Sequence, residues 1–142
     1  MKATKGIELT ESFYWDLNDR SRAFTKRVIE AMDGKPPNMG QAGAYCAVRH
    51  YLNAVADLGV AAAKASGRAT VARMKQNPIQ DDVLTNASMR ADGRVVSDVY
   101  LFEVKAPEAS KSEWDVYIVK KVISPEEAWR PMSEGGCPLV KT

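Results

Sequence analysis

Apolar residues recur at two periods along this chain, and the change of period divides it. Near the start, Ile7 and Leu9 alternate with Glu8 and Thr10, which predicts a short strand over residues 6–13. From Arg20 to about Asp33, Phe24, Val28 and Met32 recur every fourth position while Arg22, Lys26, Arg27 and Glu30 occupy the rest. That spacing predicts a helix with one apolar face. Asn18 or Asp19 supplies the capping oxygen, Gly34 ends the helix, and Lys35-Pro36-Pro37 forms a stiff connector. A second and longest helix is expected over 38–58, stopped by Gly59. Tyr45, Val48, Leu52 and Val55 mark its inward face, and Ala42, Ala44, Ala47, Ala54 and Ala56 leave room for close neighbours. Residues 61–67 are small and predict a loop or weak turn. A third helix over 69–76, with Val71 and Met74 inward, stops at Asn77-Pro78.

After Pro78 the pattern turns strand-like. Ala91-Asp92-Gly93-Arg94 carries the residues of a hairpin turn, with Asp-Gly tolerating the positive φ it needs. Residues 95–105 predict a strand whose faces are Val96, Tyr100, Phe102 and Val104 against Val95, Val99 and Leu101. Neither face is polar, so cover on both sides is expected. A polar loop over 107–113 leads to a further strand over 114–122, with Trp114, Val116 and Ile118 opposite Asp115, Tyr117 and Val119. Ser124-Pro125-Glu126-Glu127 has the first-turn signature of a short helix. The tail from Arg130 is irregular, and no repeat or low-complexity block is visible. The elements add up to a single mixed α/β domain of 142 residues, about three main helices and three to four strands, helical through residue 90 and strand-rich from 91 to 142.

Composition narrows the function classes without choosing one. Twenty basic and eighteen acidic residues are interspersed, which concentrates no field for nucleic acid or anionic lipid. The first residues lack the apolar run of an export signal, and no later stretch reaches the roughly 18 uninterrupted apolar residues of a membrane span. As written, the chain is expected to stay in the cytoplasm. Cys46 and Cys137 are too few and too far apart for a disulfide framework and lack the spacing of a zinc or redox pair. They read as free thiols, with Cys46 a small core residue on the long helix, although a bridge between them stays open.

Candidate chemistry is sparse. Phe13-Tyr14-Trp15-Asp16 follows directly on the first strand; its aromatics could wall a ligand or simply fill the space between strand and helices. Gln41 and Tyr45 lie in the first turns of the long helix, where backbone N–H groups attract carboxylates. Gln41 is the better ligand candidate, because Tyr45 shares the face of Val48 and Leu52. His50, the one histidine, reads as a solvated or hydrogen-bonded side chain. Asp81-Asp82 and Glu126-Glu127 read as solvated surface, and Arg20, Arg22, Lys26 and Arg27 as a wet helix face. No phosphate cradle, nucleophile elbow or grouped nucleophile and base stands out, so no enzyme, cofactor or metal is expected.

One family fits the order of these motifs. Leu9-Thr10-Glu11-Ser12-Phe13-Tyr14-Trp15-Asp16, then Gln41-Ala42-Gly43-Ala44-Tyr45, then Ala91-Asp92-Gly93-Arg94 and a closing Gly135-Gly136-Cys137-Pro138-Leu139 resemble the C-terminal part of the solute-binding component of ABC importers of the branched-chain amino acid type. These are the type I periplasmic binding proteins, and the resemblance runs from about Gly6 to Lys141. It implies a truncated fragment of a two-lobed fold, with the first strand and helices largely from one lobe and the last strands returning to the other. It implies periplasmic export of the parent, a small organic solute such as an amino acid or aromatic acid bound between the lobes, and delivery to an ABC permease. Tyr14, Trp15, Gln41 and Tyr45 are the ligand-facing residues that it suggests. In an exported parent, Cys137 could pair with a cysteine further upstream. Surfaces meant for the rest of the fold would be bare, which predicts a homodimer or higher oligomer, with exchange of the C-terminal strand one route. The alternative is a stand-alone oligomeric interaction domain that binds no ligand.

Overall fold

In the computed structural model of the chain, residues 2–138 and 140 are described; Leu139 of the closing motif and Lys141 lie outside them. Five strands and five α-helices form among the described residues. Strand β1 (Glu8–Glu11) leads to α1 (Asp19–Val28), which tightens into a 3-10 turn at Ile29–Met32. Next come α2 (Met39–Leu58), α3 (Val60–Ala65) and α4 (Gly67–Gln76). A small hairpin, β2 (Ser88–Met89) and β3 (Val95–Val96), precedes β4 (Val99–Val104) and β5 (Tyr117–Ile123), and α5 (Pro125–Ala128) follows. The sheet runs β1-β4-β5, antiparallel throughout. The first strand therefore sits with the last strands rather than with the helices.

Local chemistry sets the helix limits. Asn18 and Asn38 each close a reciprocal capping box, with Ser21 and Gln41 as the third helical residues. α1 ends at Val28, short of the predicted 20–33, and the 3-10 turn that continues it stops where Asp33 and Gly34 both turn left-handed, at φ 52° and 75°. The expected loop or weak turn over 61–67 is helical up to Ala65, with α4 starting at Gly67 after an extended Ser66. Alanine-rich sequence favours helix, and Gly59 at φ 82° only redirects the chain between α2 and α3. The predicted strand over 95–105 is broken in two at Ser97 and Asp98, whose side chains are buried. β5 begins later than predicted, at Tyr117, leaving Trp114 in the loop.

Two apolar clusters hold these parts together, and neighbouring residues divide between them. Phe13 packs with Phe24, Ala42, Cys46 and Val83 among the helices; Tyr14 packs with Tyr100 and Phe102 on the sheet. Successive side chains of an extended segment point to opposite sides, so the two positions after Ser12 serve both clusters, with Trp15 packed against each. Phe13 and Phe24 meet edge to face at 5.8 Å, and burying each large ring is worth about 1.5–3 kcal/mol.

The long helix turns a different face inward than its bulkiest residues predict. Ala42, Cys46, His50 and Ala54 are buried, while Val48 and Leu52 are 60% and 57% exposed. Small residues allow α4 to approach closely, and His50 Nε2 donates to the Met74 carbonyl at 2.9 Å in the last turn of α4. α4 likewise buries Thr70 and leaves Val71 exposed, with Met74 half-buried. β4 alternates as expected, Tyr100, Phe102 and Val104 inward, but β5 lies at the sheet edge with Ile118, Val119 and Val122 exposed. A register shift between Leu101 and Phe102 interrupts its alternation.

Candidate functional site

The segment after β1 reaches two parts of the fold at once. Ser12 N–H donates to Met39 Sδ at 3.4 Å beside the start of α2. Two residues on, the chain is stapled to the approach of β5. The Tyr14 hydroxyl donates to the Trp114 carbonyl at 3.0 Å and accepts from the Val116 N–H at 3.0 Å. Trp15 Nε1–H donates to the same Trp114 carbonyl at 2.8 Å. Burial, more than the nearby Asp115 and Asp16, pushes the Tyr14 phenol up, against the opposing effect of its backbone hydrogen bonds. Tyr14 thus has its polar atom committed and its ring enclosed by Phe102 and Tyr117, at centroid distances of 5.6 and 5.2 Å. Trp15 remains half-exposed.

Gln41 and Tyr45 occupy successive turns of α2. The Gln41 Oε1 accepts from the Asn38 N–H at 2.9 Å, so the capping box uses the oxygen and leaves the amide NH2 for solvent or a ligand. Tyr45 rests on Phe24 at 4.8 Å, and its hydroxyl accepts from Arg49 Nη1 at 2.9 Å. Trp15 and Tyr45 pack against the same helical cluster. The four sequence-predicted residues do not converge on one cavity: Tyr45 lines an open recess of about 600 Å³ with Val48 and Leu52, and none of the four lines either cavity beside Ser12.

Those two cavities are the features that sequence reasoning missed. One, of about 250 Å³, lies among Glu11, Ser12, Met39, Val99 and Trp129; burial pushes the Glu11 carboxyl up. The other, of about 390 Å³, opens between α2, α4 and the β2–β3 hairpin, with Gly43, Ala47, His50, Met74 and Trp129 in its walls. The signal for the second was present in Gly43, Cys46, Ala47 and His50, small or polar residues at three-and-four spacing on α2, overshadowed by the larger side chains of the opposite face.

The acidic pair at Asp81-Asp82 is not solvated surface as expected. Asp81 is buried, its Oδ1 accepting from the Val83 and Leu84 N–H groups at 2.8 Å each. Burial and then the Asp81 carboxylate push the Cys46 thiol far above its usual range, so this cysteine is an inert core residue. Cys46 and Cys137 are both free. Asp82 pairs with Arg27 and with Arg49, and Arg20 donates to the Asp81 carbonyl, so the basic face of α1 is partly tied to this loop. No group of three or more residues that could hold a metal ion occurs among the described residues, and none of the described helices is long and apolar enough to cross a membrane.

A family model described as periplasmic binding protein matches residues 1–111. No curated protein matches the sequence. Among solved structures, the chain is similar to a branched-chain amino acid ABC transporter periplasmic ligand-binding protein from Burkholderia xenovorans. The two are 39% identical with a TM-score of 0.85, over 97% of this chain and 36% of that one. A periplasmic binding protein from Burkholderia mallei is 35% identical with a TM-score of 0.85, over 99% of this chain and 36% of its own. A leucine-, isoleucine-, valine-, threonine- and alanine-binding protein from Brucella ovis, 14% identical with a TM-score of 0.66, covers 90% of this chain and 33% of its own and shares the fold. The chain thus spans about a third of the length of these structures. With the family model covering most of its residues, the chain belongs to the periplasmic binding protein family.

Proposed function

We propose that this chain acts in the solute-binding component of an ABC importer of the branched-chain amino acid type, taking up a small organic solute that carries a carboxylate. What carries the reading is the similarity over nearly the whole chain, at a TM-score of 0.85, to a protein described as the ligand-binding partner of such a transporter. Trp15 offers a half-exposed ring, Gln41 an uncommitted amide NH2 at a helix start, and Tyr45 an aromatic edge next to Arg49. Each suits part of an amino acid or aromatic acid: ring faces attract apolar groups and ammonium, and donors at a helix N-terminus attract carboxylate. Tyr14, held at both its hydroxyl and its ring, positions Trp15. In a two-lobed receptor the solute is enclosed by hinge closure and passed unchanged to the permease, which places the work in the periplasm and assigns no catalysis. A tryptophan-fluorescence titration of the chain with L-leucine and with benzoate tests this. Expected is a saturable change for at least one of them that disappears in Trp15→Phe; flat titrations with both contradict it.

A stand-alone interaction domain is the second reading, favoured by one observation. Val48 and Leu52 on α2 and Val122 on β5 are each more than half exposed, and open apolar surface of this kind drives association. A dimer or larger species in static light scattering supports it; a monomer at high concentration contradicts it.

A further inference from the structure

The 390 Å³ pocket between α2, α4 and the hairpin is used by none of the four solute-facing candidates. Its size falls within the roughly 300–1,000 Å³ of small-molecule sites. The room comes from α2, where Gly43 and Ala47 project little, and a Cβ built on Gly43 would meet nothing within 4 Å. Met74, Met89 and Trp129 stand in the walls.

The polar inventory of the pocket decides what it can hold. No Lys, Arg, Asp or Glu lines it. Trp129 Nε1–H is spent on the Ser97 carbonyl at 2.7 Å and the Ser97 hydroxyl on the Asp98 carbonyl at 3.2 Å, while burial and the neighbouring Asp81 carboxylate keep the Cys46 thiol protonated. His50 remains. The Met74 carbonyl can only accept, so Nε2 carries the proton, and in the neutral ring Nδ1 is left as an acceptor. Ser12 is a further polar residue in the wall.

From this arrangement we infer that the pocket is a second ligand site, for a small uncharged aromatic molecule with one hydrogen-bond donor, such as a phenol or an indole. A zwitterionic amino acid or a carboxylate would lose its hydration to walls that present no opposite charge, a large cost. A flat ring keeps its contacts with thioether and indole surfaces, and its single O–H or N–H has an acceptor in His50. Aromatic acids belong to the proposed solute site, neutral aromatics to this one, so the two proposals succeed or fail separately.

The test is a nitrogen–proton NMR titration of the full chain with phenol and indole, and with benzoate and L-tryptophan as charged counterparts. Saturable shifts at Gly43, Ala47 and the Trp129 side chain are expected from the neutral pair, with the charged pair binding at least about tenfold more weakly. Gly43→Leu fills the pocket from a helix-interior glycine and is expected to abolish the shifts while keeping a dispersed spectrum; Ala47→Leu repeats the measurement if the first variant unfolds. Trp15→Phe leaves the shifts intact. The proposal is overturned by an absence of saturable shifts with the neutral pair, as when protein rather than a small molecule fills the pocket. Undiminished binding in the folded filled variant, or equal binding of the charged pair, overturns it as well.

Discussion

Thr25 on α1 is buried with its hydroxyl oxygen unpartnered, a group whose desolvation nothing offsets. Thr25→Val, which keeps the shape and removes the orphan, is expected to raise stability by about 1 kcal/mol in urea denaturation. Asp115 is the opposite case. Its carboxylate is nearly enclosed and takes a hydrogen bond from the Lys105 ammonium and another, at 2.9 Å, from the Lys111 N–H; together they hold its pKa below the usual carboxylate range, Lys105 contributing most. A depressed carboxylate adds stability above its unfolded pKa of about 3.9, and that stability is lost as pH falls through the lower folded value. Asp115→Asn is therefore expected to cost about 3 kcal/mol at neutral pH, and thermal melts from pH 7 to 2 should show the gap from the parent closing below about pH 4. Both effects were hidden in the sequence. Thr25 sits beside the predicted inward Phe24 with nothing to mark it as buried, and Asp115 meets Lys105 only once β4 and β5 pair. The start of α2 near Asn38, by contrast, was legible, because the residues that limit a helix lie close together in sequence.

Elements were legible where a local rule decides them and misleading where packing does. Asn18 and Asn38 mark the starts of α1 and α2, Asn77-Pro78 the end of α4, and Gly93 at φ 85° the hairpin turn. The inward face of α2 was misread because large apolar residues dominate a periodicity count, whereas close approach of α4 selects the smaller Ala42, Cys46 and Ala54. The same preference for close packing explains Thr70 inward and Val71 outward on α4. Gly59 joins α2 to α3 at φ 82° and ψ 145°, a region that side chains rarely enter. Gly59→Ala is expected to cost about 1–3 kcal/mol, read as a lower midpoint in chemical denaturation, even though the space for the methyl group is open.

At the scale of the molecule, what the sequence lacked was the long-range pairing. β1 joins β4 across some ninety intervening residues, Leu9 opposite Phe102, so a strand that precedes four helices completes a sheet formed largely after them. From the sequence, Phe13 and Tyr14 read either as ligand walls or as space-filling aromatics, and their division between two clusters appears only when both clusters exist. The exposed apolar side of α2 and the edge of β5 belong to this scale too. Leu52→Lys is expected to shift sedimentation velocity toward the monomer without changing the circular dichroism spectrum, and an unchanged sedimentation profile would argue against self-association through α2. The most direct measurement of solute binding is calorimetric titration of the chain with L-leucine and benzoate, compared with its Gln41→Glu variant. That substitution keeps the oxygen that caps α2 and places a negative charge where the amide NH2 stood. Saturable heat with the parent and binding weaker by about tenfold or more in the variant is the expected result. No heat with either solute, or equal affinity in parent and variant, would contradict a carboxylate-binding receptor site at the start of α2.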